Sequence, residues 1–265
     1  MLKRSSFRSI CYIIIAQNAK KAINSHLLGT IVIMQKTVIL SPHFDDAVFS
    51  CWNLLHDKNV SVITVFAGIP PRGTRTLWDR VCGEADSKVM VLKRIEENKT
   101  VLKANEVKSY NFNFLDRQYR QDKLDVSKIV NSILKKTSEE DIVYYAPLAG
   151  SKLWRHPDHI ALREVGKELL KKGESVYFYA DIPYMQMPSR TYESYIKEMD
   201  KRASALLDRI VSTKIIQLTS KDQKAKVKAM KQYKTQYKMT NLTSFGSLSR
   251  RKNIEKEIIF KLNPI

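Results

Sequence analysis

Cysteine and long apolar runs are both scarce in this chain of 265 residues. The three cysteines, Cys11, Cys51 and Cys82, form no Cys-x-x-Cys pair, which argues against a disulfide framework and against a cysteine-held metal. No stretch reaches the ~20 apolar residues that a membrane-spanning helix needs. These absences predict a reduced, cytoplasmic setting and no transmembrane segment.

The first 33 residues only partly match a signal peptide. Lys3 and Arg4 precede a short apolar run at 10–16, but the polar and basic residues at 17–21 make a poor cleavage region. We therefore expect residues 1–33 to be an N-terminal extension outside the fold, with Met34 opening the folded domain.

Acidic residues are too few to balance the basic ones. The formal net charge is +19, and residues 1–33 and 201–265 together supply +17 of it. Because residues 34–200 are nearly neutral, a cleft there is not expected to bind a polyanion, and no nucleic-acid partner is predicted.

The C-terminal segment, residues 221–265, is predicted to be basic and helical and to pack on the domain. A charge run of this kind is usually a solvated helix face, although it could also neutralise phosphates or an anionic membrane surface. Its lysines, interleaved with Tyr233 and Tyr237, are Lys221, Lys224, Lys226, Lys228, Lys231, Lys234 and Lys238.

Apolar runs of strand length alternate with helical patterns between residues 37 and 180. This alternation predicts an α/β domain over residues 34–220, a Rossmann-like three-layer sandwich with a mostly parallel sheet and helices on both faces. The predicted strands are 37–40, 60–66, 110–114, 142–146 and 175–180, and the predicted helices are 47–55, 78–104, 125–136 and 158–172.

Two polar clusters each lie where a predicted strand gives way to a helix. Residues 41–46 read Ser-Pro-His-Phe-Asp-Asp, and residues 155–159 read Arg-His-Pro-Asp-His. In open α/β sheets the carboxyl edge of the strands is where ligands bind. The clusters are therefore expected at the ligand-binding edge.

The residue types in these clusters fit a hydrolytic zinc centre, which takes three protein ligands and keeps a position for water. His43 and Asp46, three positions apart at a helix start, can share a metal, and either His156 or His159 can supply the third ligand. Asp45 must point in another direction, which suits a base acting on water.

The histidine that does not bind metal could donate to the oxyanion or protonate the leaving nitrogen, with Asp158 to orient it. Each cluster also has a plain structural explanation, because Asp45 or Asp46 could cap a helix and the second cluster could be a turn and a cap. Three of the five histidines lie in the two clusters, and this conjunction favours the metal site.

The paired motifs resemble the PIG-L-type (LmbE-like) zinc-dependent N-deacetylases, whose mark is His-Pro-Asp-Asp after the first strand and a later His-Pro-Asp-His. Here the first motif reads His-Phe-Asp-Asp at 43–46 and the second is intact at 156–159. The resemblance covers about residues 36–185. Weaker matches to the family are Thr64–Gly68, Trp78-Asp79, Arg94–Glu97, Leu115–Arg120 and, beyond that range, Tyr233–Gln236.

The resemblance implies a role for each motif residue. Zinc would be bound by His43, Asp46 and His159, and a two-His, one-carboxylate set could also take ferrous iron. The implied catalytic residues are Asp45 as general base, His156 as oxyanion stabiliser and acid, and Asp158 as the residue that holds His156.

The chain departs from the family pattern at three places. Phe44 replaces the usual proline, Ala47 stands where many relatives have glutamate, and residues 150–155 lack the usual glycine-rich stretch. None of these changes removes a predicted ligand, but they leave the substrate contacts open.

Three residues of the segment 115–120 are predicted to bind sugar hydroxyls: Asp116, Tyr119 and Arg120. Asp116 could equally cap a loop and Tyr119 could equally pack. The function predicted from the resemblance is removal of an N-acetyl group from a small N-acetylglucosamine-type sugar or glycoconjugate.

Two other functions are compatible with the sequence. One is a non-catalytic polyanion or membrane-surface binder that uses the lysine-rich segment, and the other is a metallohydrolase of the same fold that cleaves another amide or an ester. A homo-oligomer is also compatible with the sequence.

Overall fold

The computed structural model describes residues 35–138, 141–149, 156–183 and 210–263. The predicted N-terminal extension, residues 1–33, and the divergent segment 150–155 lie outside this part of the chain. Within the described residues, no helix has both the length and the apolar character that crossing a membrane requires.

Seven strands form one mixed sheet, in the order β3-β2-β1-β4-β5-β7-β6. The first five in this order are parallel, and β7 runs antiparallel to both of its neighbours. The strands are β1 (Lys36–Ser41), β2 (Val60–Thr64), β3 (Lys108–Asn111), β4 (Ile142–Pro147), β5 (Ser175–Tyr179), β6 (Ile210–Gln217) and β7 (Lys256–Leu262).

The described helices are mostly short, and the longer ones begin at polar capping residues. Asp86 caps the longest, and Asp125 and Thr219 cap two others through their side-chain oxygens. The helices are α1 (Asp46–Ser50), α2 (Leu77–Val81), α3 (Ser87–Ala104), α4 (Val126–Lys136), α5 (Pro157–Lys171), α6 (Ser220–Met230), α7 (Tyr237–Thr243) and α8 (Arg251–Ile254), with 3-10 turns at Leu54–His56 and Ser247–Ser249.

Alternate residues of β1 enter two separate cores. Val38 and Leu40 pack with α4 and α5 on one face, and Ile39 packs with α1, α3 and α6 on the other. A strand places successive side chains on opposite faces, so both faces of the sheet are covered. The predicted α/β sandwich with helices on both faces is confirmed.

Three predicted elements differ in detail. The predicted helix 47–55 ends at Ser50, as α1, and is followed by the 3-10 turn Leu54–His56. The predicted helix 78–104 is divided into α2 and α3, because Gly83 adopts φ +97° and ends the first helical turn pattern. The strand predicted at 110–114 begins and ends earlier in the chain, as β3 (Lys108–Asn111), which pairs with β2.

The sequence predicted a helical C-terminal segment, but the segment is helical only in part. After α6, α7 and α8, its last part forms β7, which inserts between β5 and β6. Ile258 and Phe260 enter one core and Ile259 enters the other, so the strand contributes to both cores.

The lysine-rich helix α6 has a solvated face and a buried one. Lys221, Lys224 and Lys228 are exposed, as expected for a solvated charge run. Lys226 is fully buried, and its Nζ lies 2.7 Å from Oε1 of buried Glu257. The same carboxylate accepts the backbone N–H groups of Trp52 and Asn53, and so joins the chain after α1 to β7.

Candidate metal centre and active site

The two polar clusters meet between β1 and β4, where the order in which strands are added to the sheet reverses. β1 and β4 are parallel neighbours, and the chain proceeds outward from them on both sides, to β2 and β3 and to β5. In open α/β sheets this switch point at the carboxyl edge is the usual ligand site. The loop after β1 carries His43 to α1, and His156 begins α5.

The three predicted metal ligands converge on one carboxylate oxygen. Asp46 Oδ2 lies 3.2 Å from His43 Nδ1 and 3.3 Å from His159 Nε2. Ligand atoms bound at about 2.0–2.1 Å in a tetrahedral zinc site lie about 3.3 Å from one another. The donor set and its spacing therefore fit a tetrahedral metal ion.

His156 lies beside the same three residues. Ring nitrogens of His43, His156 and His159 all lie within 4.8 Å of one another, and the rings of His43 and His156 meet edge-on at 4.6 Å between centroids. A second potential metal-binding group consists of His43, Asp116, His156 and Asp158. The structure thus brings both motifs into one cluster that can hold a metal.

Each of the two histidines predicted to bind the metal contacts a carboxylate through its other ring nitrogen. His159 Nδ1 lies 2.7 Å from Asp181 Oδ2, with both side chains fully buried. His43 Nε2 lies 3.3 Å from Asp158 Oδ2. Such contacts fix the tautomer and ring orientation of a metal-binding histidine.

The carboxylate of Asp158 contacts His43, whereas the sequence analysis had assigned it to His156. Its Oδ2 also accepts the backbone N–H of Arg117 at 2.8 Å, and its Oδ1 accepts from the Arg120 guanidinium at 2.8 Å. The backbone N–H of Asp158 donates to His156 Nδ1 at 3.3 Å.

Asp45 is buried beside the predicted metal ligands and is not used as a helix cap. It occupies the position before α1 without a capping hydrogen bond, and its Oδ1 accepts from Gln236 Nε2 at 2.9 Å. Burial, together with the charge of Asp46, raises the pKa of Asp45 to about 7. A carboxyl group with a pKa in this range is suited to accept and return a proton near neutral pH.

His156 is neutral over the same pH range. Burial and the neighbouring rings of His43 and His159 lower its pKa to about 3. Its Nδ1 accepts from the Asp158 backbone N–H, so the proton of the neutral ring is on Nε2. His156 is therefore a hydrogen-bond donor through Nε2.

The two predicted ligands His159 and Asp46 shift each other's pKa, and each favours the charged form of the other. Burial alone would lower the pKa of His159, but the carboxylates of Asp46 and Asp181 raise it to about 9. Although burial opposes ionisation of Asp46, His159 and His43 hold its pKa far below the usual value. A metal ion at this position would replace the proton that His159 holds.

A cavity of about 350 Å³ opens onto this cluster. Its size is within the range of about 300–1,000 Å³ found for small-molecule sites. Of the three residues predicted to bind substrate, Asp116 lines it. The lining residues are His43, Asp45, Asp46, Trp78, Arg94, Asp116, Gln118, His156, Pro183, Gln236, Thr240 and Thr243.

The other two residues predicted to bind substrate make internal contacts. Tyr119 is 9% exposed, and its hydroxyl donates to Asp79 Oδ2 at 2.7 Å. Asp79 also pairs with Arg94 at 3.0 Å. Tyr119 therefore packs inside the protein, which was the alternative interpretation of this residue. Arg120 pairs with Asp158 and so contacts the second motif. Asp116 both lines the cavity and accepts the N–H of Gln118 in its own loop.

Two site residues were missed by the sequence analysis. Asp181 follows β5 at the same carboxyl edge as the two motifs, and this position was a usable signal. Gln236 lies in the late segment that resembled the family, but nothing in its local pattern indicated a contact with Asp45, which is 191 positions away.

Known proteins share this architecture. The chain is 24% identical to a 2'-N-acetylparomamine deacetylase of Niallia circulans over 204 residues, which is 63% of this chain and 74% of that protein. The fold also matches a teicoplanin deacetylase in its zinc-inhibited form, with a TM-score of 0.68 and 22% identity over 87% of this chain and 99% of that one.

A third similar protein is the N,N'-diacetylchitobiose deacetylase of Pyrococcus horikoshii. Its TM-score is 0.52 at 13% identity, over 87% of this chain and 84% of that one. The sequence pattern of the PIG-L family, described as GlcNAc-PI de-N-acetylase, matches residues 38–170, which is half of the chain. The protein therefore belongs to the PIG-L family and is a hydrolase of amide bonds, an N-deacetylase.

Proposed function

We propose that the protein is a zinc-dependent amidohydrolase that removes an N-acetyl group from a small N-acetylglucosamine-type sugar or glycoconjugate. The observation that carries this proposal is the approach of His43 Nδ1 and His159 Nε2 to one oxygen of Asp46, at 3.2 and 3.3 Å. Two imidazoles and one carboxylate are a frequent ligand set of catalytic zinc.

His43, Asp46 and His159 would hold the metal, which when bound supplies Lewis acidity toward the acetyl carbonyl and toward water. Asp45 accepts the proton of the attacking water. His156 donates a hydrogen bond from Nε2 to the oxygen of the carbonyl as it gains negative charge. The resemblance implied His156 as the acid, but its pKa of about 3 keeps it neutral, so we assign the acid role to Asp45. The proton held by Asp45 passes to the leaving nitrogen, and the products are acetate and a free amine.

The lining residues of the cavity favour a polar substrate of the size of a sugar. Asp116, Gln118 and Trp78 line it, so that a carboxylate, an amide and an aromatic side chain are present at its wall. The related proteins named above are described as deacetylases of paromamine, teicoplanin and chitobiose compounds. An N-acetylated sugar is the substrate feature that these observations favour.

The lysine-rich segment has a place in this function. Tyr233 is fully buried and Gln236 contacts Asp45, so the segment contributes to the site, while its lysines at 221–238 other than Lys226 are exposed. This arrangement favours the enzyme over a binder that would use the lysines alone.

The test is acetate release from a panel of N-acetylglucosamine conjugates by purified, metal-quantified protein, with Asp45→Ala and His159→Ala alongside. We expect Asp45→Ala to keep the metal and lose at least about 100-fold in rate, as loss of a general base does. His159→Ala should lose both metal and activity. Full activity in the first variant, or full metal content in the second, would remove that residue from its proposed role.

A further inference from the structure

Gln236 binds the carboxylate of Asp45 from the far end of the chain. Its Nε2 donates to Asp45 Oδ1 at 2.9 Å, and its side chain lines the cavity while the residue is only 8% exposed. An ionised carboxylate can only accept, so the amide nitrogen of Gln236 is the atom that faces Asp45 in the form that takes up a proton. The Asp45 side chain makes no capping hydrogen bond to α1.

The turn that carries Gln236 is fixed to α3 by two neighbouring residues. The hydroxyl of fully buried Tyr233 donates to Asn98 Oδ1 at 2.9 Å. Thr235 donates to both oxygens of Glu97, from its N–H at 3.0 Å and from its hydroxyl at 2.6 Å. These three hydrogen bonds hold the turn between α6 and α7, and so define where the Gln236 amide lies.

We propose that Gln236 is a positioning residue for Asp45, an inference that rests on the proposed function. The amide occupies Oδ1 and holds the carboxylate plane, which leaves the other oxygen to take the proton of the attacking water. Hydrogen bonds to charged groups are about twice as strong as neutral ones, so one such donor is enough to bias the orientation of a buried carboxylate. The C-terminal segment thereby acts on the chemistry, in addition to covering the core.

A purely structural role for Gln236 would give a different result. If the amide only fastened the turn to the domain, its loss would lower the free energy of unfolding and leave the turnover of the folded enzyme unchanged. If it only contacted substrate, its loss would raise KM and leave kcat unchanged.

The first experiment compares Gln236→Met with Gln232→Met in the metal-loaded full chain. Gln232 lies in the same turn region and is partly exposed, so the control makes the same chemical change away from Asp45. For Gln236→Met we expect kcat to fall about 10- to 100-fold, with metal content unchanged and KM within about twofold, since removing a partner that orients a metal-site residue has costs of this size. A wild-type kcat in Gln236→Met would overturn the proposal, and so would a change confined to KM.

A double-variant cycle then asks whether Gln236 acts through Asp45. In the Asp45→Ala background, Gln236→Met should cause no further loss of kcat, because the carboxylate that it orients is gone. A full additional 10-fold loss in that background would show that Gln236 acts elsewhere and would overturn the proposal.

A measurement that needs no substrate separates this inference from the proposed function. The side-chain amide of Gln236 can be assigned in a ¹H–¹⁵N spectrum of the metal-loaded protein by its disappearance in Gln236→Met. Asp45→Ala should move that resonance upfield, because a hydrogen bond to a carboxylate is lost, while Gln232 stays in place. An unmoved Gln236 resonance overturns the contact, whereas a wild-type protein that releases no acetate while the resonance moves counts against the proposed function alone.

Discussion

Asp181 Oδ2 and His159 Nδ1 lie 2.7 Å apart, and both side chains are completely buried. The other oxygen of Asp181 accepts the backbone N–H of Ala149 at 2.9 Å, so the carboxylate is held at two points. It can only accept from Nδ1, so when the ring gives up its second proton, the lone pair of His159 is on Nε2, facing Asp46. Asp181, which follows β5, therefore sets the tautomer of His159, a proposed metal ligand on the helix that follows β4.

Asp181→Asn should weaken metal binding with little change in the backbone. The asparagine oxygen can still accept from Ala149, but its NH₂ group would then face His159 Nδ1. The ring proton would move to Nε2 and compete with the metal. We expect an affinity about 10- to 100-fold lower, measured by competition with a chromogenic chelator.

The matched control is Asp141→Asn, at an exposed position away from the site. Equal affinities for Asp181→Asn and the wild type would show that Asp181 does not set the tautomer of His159.

Metal affinity should fall as the pH is lowered. With no metal bound, the pKa of His159 is raised to about 9, so below pH 9 the metal must displace a proton. Asp46 stays ionised over this range, because its pKa is held far below the usual value, and it adds no pH dependence. His43, the other predicted histidine ligand, must also lose a proton: although burial lowers its pKa, the carboxylates of Asp116, Asp158 and Asp46 raise it well above the usual value. We expect an affinity loss of at least about tenfold for each pH unit between 8.5 and 6.5. Chelator competition at three pH values would measure it, and a flat profile would contradict the His159 assignment.

Lys226→Met should destabilise the protein strongly. The change leaves the buried carboxylate of Glu257 without its cationic partner, although the N–H groups of Trp52 and Asn53 remain. Breaking a buried pair in this way costs about 3–5 kcal/mol of unfolding free energy. Urea denaturation of the variant and the wild type would measure the difference.

The control for this prediction is Lys171→Met, which breaks an exposed pair with Glu168. Its effect should be below about 1 kcal/mol, because solvent screens exposed pairs. If both substitutions cost the same, the buried pair would have no special role in joining β7 to the chain after α1.

Gly68→Ala should disturb the loop that carries Asp116. A Cβ atom at Gly68 would lie 2.8 Å from the backbone carbon and oxygen of Phe114, and backbone cannot move aside as a flexible side chain can. Overpacking of this kind costs about 1–3 kcal/mol. We expect lower stability in urea and a higher KM, because Asp116 follows two residues later in the displaced loop. Wild-type values for both would show that the loop adapts without loss.

Hydrophobic patterning was sufficient to predict the central part of the fold. The runs that became β1, β2, β4 and β5 are short, apolar and bounded by polar residues, and strands of this type form wherever a sheet can bury both faces. The last strand was missed, because residues 256–262 follow a lysine-rich stretch that suggested helix. Its pairing with β5 depends on a partner about 80 positions earlier in the chain.

The sequence by itself determined the two motifs and the sheet edge where they lie, because each motif is a local pattern beside a recognisable strand. It also determined which residue types could bind the metal. The tertiary structure decided their partners: Asp158 supports His43, Asp181 supports His159, and Gln236 holds Asp45. Those contacts join segments 22 to 191 positions apart, and local periodicity carries no information about which distant side chains the folded chain brings together.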